Sequence, residues 1–181
     1  MVERELKLLR ERIIEEINSF RSINRLNINE NLRIFSVMKN LENLKETTTK
    51  VLNKIMQGDS KAKSILEEII NIWYEVYSRV IHNPSIKDLF KEKICKGVIN
   101  FIRGIGRVCL GMEEFFSEKE IMNLFNYIII HFEYMEKSAR KEGFYKIAEK
   151  SAKAQEVLFQ ELRDNFKNYL SSKGLITLKY N

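Results

Sequence analysis

Apolar residues recur every three or four positions along nearly the whole chain, and this period predicts six helices. The first spans 2–25 with a narrow stripe of Leu6, Leu9, Ile13, Ile17 and Phe20. Its other faces alternate Glu with Arg and Lys, including Glu3 and Lys7 one turn apart. So narrow a stripe fits a peripheral helix or a coiled-coil seam. Asn24-Arg25-Leu26-Asn27 breaks it, and Asn29 caps a second helix over 30–57. That helix turns Ile34, Val37, Met38, Leu41, Leu44, Val51, Leu52 and Ile55 inward, with Gly58 closing it. Thr47-Thr48-Thr49 places three β-branched residues in its middle, where a kink is expected.

A third helix starts at Asp59 or Ser60 and stops at His82-Asn83-Pro84, because proline disfavours helix at the preceding residue. Its wide inner side holds Ile65, Leu66, Ile69, Ile70, Trp73, Val76, Tyr77 and Val80, and its outer side Glu67, Asn71, Tyr74 and Ser78. A fourth helix begins at Ser85 and runs to about Gly111. The fifth opens with a capping box, Ser117 with Glu120, and a Phe116–Ile121 staple. Ile121, Leu124, Phe125, Ile128, Phe132, Met135 and Ala139 face inward there, while Tyr127, Ile130 and Tyr134 form a second stripe. After Gly143 the last helix, about 144–171, buries Ile147, Ala154, Leu158, Leu162, Phe166 and Tyr169 or Leu170, and Gly174 closes it.

The expected fold is therefore all-α, an antiparallel up-and-down bundle of about six helices in one domain. Residues 1–58 make a helical hairpin and 59–172 a four-helix bundle, with a short tail at 173–181. One proline and seven glycines leave little material for turns, which agrees with few, long elements. Apolar content of 44% with 31% charge excludes a disordered chain. The apolar runs are too short to span a bilayer, and the charged N-terminus reads as helix rather than as a secretory signal. No membrane association and a cytoplasmic location are expected.

Charge changes the picture at one place. Of the formal net charge of +6, much sits in 85–111, with six basic and two acidic residues. Residues 112–143 carry four basic and seven acidic ones. Ile94–Met112 contains no acid at all. Lys93, Lys96, Asn100, Arg103 and Arg107 recur three and four apart, making a basic stripe about 21 Å long by helical rise. Beside it Gly97, Gly104 and Gly111 stack on one line. Glycine inside a helix costs about 1 kcal/mol against alanine, so the line needs a reason. Close approach of another helix is the leading one. Close approach of an anionic ligand, or a helix break at Gly104-Ile105-Gly106, are the alternatives. The remaining positions are apolar almost all round, which marks this helix as the centre of the bundle.

Candidate chemistry is sparse. Cys95 and Cys109 lie about 21 Å apart on one helix, out of disulfide range, and read as buried thiols. Neither His82 nor His131 has the Glu-x-x-His context of a di-iron bundle, and no catalytic residue, metal site or cofactor is assigned. Glu68 and Glu75 share a face that solvation explains. Trp73, Tyr77, Tyr127 and Tyr134 fit core positions better than an aromatic cage. Nucleotide-loop, dinucleotide and zinc patterns are missing from the sequence.

Three function classes remain. The leading one is a non-enzymatic helical interaction protein, self-associating or part of a larger assembly. A homodimer is expected to use the first-helix stripe or the Tyr127–Ile130–Tyr134 stripe. The second is sequence-tolerant nucleic-acid binding through the basic stripe. The third is an enzyme or small-ligand carrier with a pocket inside the bundle. Pairing of the stripe with acids from 112–143 would make it structural, and an open stripe would make it a binding surface.

Overall fold

The computed structural model of the chain describes residues 2–22 and 30–165. Of these, 86% are helical and none is in a strand. The elements are α1 (Val2–Asn18) with a 3-10 turn at Ser19–Ser22, α2 (Glu30–Met56), α3 (Ser60–Lys63), α4 (Leu66–Ile81), α5 (Asp88–Leu110), α6 (Glu118–Lys141) and α7 (Tyr145–Asn165). The break at Asn24–Asn27, the Asn29 cap, the core positions Phe166, Tyr169 and Leu170, Gly174 and the tail lie outside the described residues.

Local side-chain bonds set the boundaries. Ser117 Oγ accepts from the Glu120 amide at 3.1 Å, and the Glu120 carboxylate accepts from the Ser117 amide at 2.9 Å, so α6 starts with the expected capping box. The amide hydrogen bond from Ser117, with the Lys63 ammonium beside it, holds the Glu120 carboxyl below its usual range. The helix expected over 59–82 instead comes in two pieces. Asp59 caps the single turn α3 through the Lys61 amide, and the Ser64 hydroxyl turns back to the Lys61 carbonyl, which ends that turn before α4 begins. Likewise α5 starts at Asp88 rather than Ser85. The Ser85 amide is taken by the Asn83 side chain at 2.9 Å, an Asx turn that keeps it out of the helix.

Neither expected weak point breaks its helix. Thr47, Thr48 and Thr49 each return a hydroxyl to the carbonyl four residues back, and α2 runs through them. Buried Thr48 also accepts from the Trp73 indole at 3.4 Å, which suits a threonine on an apolar stripe. At Gly104-Ile105-Gly106, α5 continues without interruption to Leu110.

Consecutive long helices run antiparallel, so next-but-one helices lie parallel. Asn71 meets His131, Tyr77 meets Met135 and His82 meets Glu142 along α4 and α6. The same holds for α5 and α7, where Gly106 faces Leu158 and Arg107 pairs with Glu161. The α1 stripe is buried against α2 and α4. Arg10 clamps Glu75 with two hydrogen bonds of 2.7 and 2.8 Å, and Asn83 donates to the Ile17 carbonyl at the end of the helix. The first-helix stripe is thus consumed inside the molecule and is not available to a second copy.

The centre of the fold is shared by α5, which meets α2, α4, α6 and α7, and α4, which meets α1, α5 and α6. Trp73 lies 4.5 Å from Phe101, and the Tyr77 hydroxyl donates to the Met135 carbonyl at 2.6 Å. Burying such side chains contributes about 1.5–3 kcal/mol each. Lys91 is also inside, only 6% exposed. Its ammonium donates to the Ile81 carbonyl at 3.2 Å and stands 5.3 Å from the Phe144 ring. A cation there meets the negative end of α4 and an aromatic face, two attractions that offset its lost hydration.

Candidate functional site

The inner side of α5 comprises Ile94, Cys95, Val98, Ile99, Ile102, Ile105, Gly106, Cys109 and Leu110. The outer side, expected to be covered, is open. Lys93, Gly97, Asn100, Arg107, Val108 and Gly111 are exposed there, with Lys96, Arg103 and Gly104 half-buried. A Cβ built on Gly97 or Gly104 meets nothing within 4 Å, and one on Gly111 meets only carbonyls of its own helix. Close helix packing at these three glycines is therefore corrected: no neighbouring backbone comes near them. The close approach is at Gly106, where a Cβ would lie 3.2 Å from Ile128 Cδ1 and 3.2 Å from Leu158 Cδ2.

The cations of the outer side are weakly answered. Lys96 donates to Glu92 of the same helix at 2.6 Å, and that bond holds the Glu92 carboxyl below its usual range. Arg107 reaches Glu161 of α7 at 3.6 Å. Neither acid comes from 112–143. Among the described residues, Lys93 and Arg103 have no hydrogen-bond or ion-pair partner. Two of the four cations are thus paired, and two are not.

A second surface forms along α4 and α6. Tyr127, Ile130 and Tyr134 of α6 are joined by Tyr74 and Asn71 of α4, which the stripe alone did not include. Tyr134 is 51% and Ile130 44% exposed. His131 fills the floor between them. Its ring centroid is 4.5 Å from Tyr127 and 5.1 Å from Tyr74. His131 Nδ1–H donates to the Tyr127 carbonyl at 2.7 Å, and Nε2 lies 3.2 Å from Asn71 Oδ1. Both nitrogens thus have a polar atom within hydrogen-bond distance. Burial first, then neighbouring Tyr134, pushes the Tyr74 phenol up, and burial with Glu67 nearby does the same to Tyr127. Of the four aromatics weighed as a cage, Trp73 and Tyr77 are core, and Tyr127 and Tyr134 belong to this surface.

Other reactive groups are occupied or withdrawn. Both cysteines are free and buried, and burial pushes the Cys109 thiol up to about 12. His82 pairs with Glu142 at 3.0 Å, and Glu75 with Arg10 at 2.7 Å. No three His, Cys, Asp or Glu residues gather as a metal would need among the described residues. No helix among them is long and apolar enough to cross a membrane. No protein-family model, curated protein or solved structure matches the chain.

Proposed function

We propose that this is a non-enzymatic helical interaction protein that associates with a second copy of itself through the α4–α6 surface. One observation carries the reading. In a chain with 31% charged residues, Asn71, Tyr74, Tyr127, Ile130, Tyr134 and Ser138 make a continuous strip without a charge. Tyrosine suits such a contact because its ring supplies apolar area and its hydroxyl stays satisfied in water or across an interface. The strip is bounded by Glu67 beside Tyr127 and by exposed Lys137 and Lys141 at the other end. A twofold axis through its middle sets acid against base at both ends of an isologous contact. The buried free thiols are in keeping with a reducing compartment such as the cytoplasm.

Sedimentation velocity at micromolar concentration tests this. Wild type is expected to run as a dimer. Ile130→Asp with Tyr134→Asp should run as a monomer with an unchanged helical circular dichroism spectrum, since both residues are exposed. A wild-type monomer, or a dimer indifferent to both substitutions, removes the reading.

A further inference from the structure

The geometry points to a second, independent binding surface: the seam between α5 and α7 takes a nucleic-acid sugar–phosphate backbone. The parallel register of these helices makes it. Lys146 acts on Glu92 near one end, Gly106 packs on Leu158, and Arg107 meets Glu161 at the other end. At 1.5 Å per residue this sets Lys96 level with Lys150 and Asn100 level with Lys153. The two rows of cations, separate in sequence, become one face. From Lys93 to Leu110 α5 has no acid, and the α7 row beside it, Lys146, Lys150, Ala154 and Val157, is basic or neutral up to Glu161, whose carboxylate is met by Arg107. Lys153 shares the outer row of α7 with exposed Glu149 and Glu156, one turn to either side of it.

Lys93, Arg103, Lys150 and Lys153 have no hydrogen-bond or ion-pair partner among the described residues. Like charges gathered on one face repel one another, and a polyanion laid along them turns that repulsion into attraction. Gly97 and Gly104 keep the crest of α5 low between the long side chains, so an extended strand can rest near the helix. The contact is with phosphates rather than bases. Phe101, the aromatic nearest the crest, is half-buried with the Lys45 ammonium 5.9 Å over its ring, so no ring is free to stack a base. An acidic protein would need an apolar anchor at the middle of its contact, and between Lys96 and Arg103 the crest offers Gly97 and Asn100.

The experiment is fluorescence anisotropy with labelled single-stranded DNA, single-stranded RNA and duplex DNA at several salt concentrations. It compares wild type, Arg103→Glu with Lys150→Glu, and a control of equal charge change away from the seam, Lys61→Glu with Lys119→Glu. Wild-type log affinity should fall linearly with log salt, little affected by base sequence. On a single strand the seam variant should lose more than about tenfold in affinity, with a slope shallower by about 1.4 for two lost contacts. The control should lose far less. If circular dichroism shows the seam variant misfolded, Arg103→Gln with Lys150→Gln is read in its place for the same change in slope. Three outcomes overturn the proposal: no binding at low salt, equal losses in seam and control variants, or displacement by polyglutamate as effective as by unlabelled oligonucleotide. The last would make the seam a site for acidic protein.

Discussion

The two long sides of α5 carry the same small residue in opposite surroundings. On the inner side Gly106 admits Ile128 and Leu158 so closely that even a methyl group would press on both. On the outer side Gly97 and Gly104 face open space. The comparison separates two properties of glycine that a sequence merges. One is the room it leaves for a neighbour, which helix packing uses at a single position. The other is the low crest it gives a helix, which has no value inside the molecule and a helix-propensity cost of about 1 kcal/mol at each position.

The largest difference between the two sides should appear in thiol chemistry. Cys109 is inside, its thiol pushed up to about 12, whereas Val108 beside it is exposed. With Ellman's reagent at pH 8, the native cysteines should react more than about a thousandfold slower than in denaturant, because attack needs both an opening of the fold and a thiolate. A thiol introduced by Val108→Cys should react at nearly the rate of the denatured protein. Equal rates for the two would abolish the distinction.

The glycines themselves give the next test. Gly106→Leu should overpack the contact with α6 and α7 and destabilise by about 1–3 kcal/mol. For a chain of this size each kilocalorie moves Tm by about 2–4 °C. Gly104→Ala should instead stabilise by up to about 1 kcal/mol from helix propensity. Thermal melts of both, read side by side, sharpen the comparison. Shifts of the same sign would show that the outer glycine is also packed.

The smallest effect belongs to the outer ion pair. Lys96 holds the Glu92 carboxyl below its usual range, so Glu92 binds fewer protons folded than unfolded. Its contribution is present above the ordinary glutamate pKa and lost as pH falls through the depressed value. Because the Glu92–Lys96 pair is half-exposed and screened by salt, Glu92→Gln should leave Tm within error at pH 7. A resolved loss would mean that this side is shielded.

Where one face alone is apolar, the chain states its own packing. The Leu6–Phe20 stripe, the inner side of α4 and the Ser117 cap could all be read directly, because period and capping chemistry are local. On α5 the helix is apolar almost all round, so period no longer says which side meets a neighbour. Gly106 and Gly104 then look alike. Lys91 had a signal, three and four residues before Ile94 and Cys95 on the inner side, but a lysine is read outward by default. The alignment of Lys150 with Lys96 had none, since it follows from two parallel helices more than 50 residues apart. Tyr74 and Asn71 were visible as outward positions of α4, and their meeting with Tyr127 and Tyr134 depends on the same parallel arrangement.

Asn83 has a consequence for how this protein ages. Its buried amide ties the end of α1 to the turn before α5, through the Ile17 carbonyl and the Ser85 amide. Asparagine usually decays when the next backbone nitrogen attacks the side-chain carbonyl and closes a succinimide. Here the next residue is Pro84, the only proline in the chain, whose nitrogen has no hydrogen to lose. The clasp between hairpin and bundle is thereby closed to the commonest route of asparagine damage.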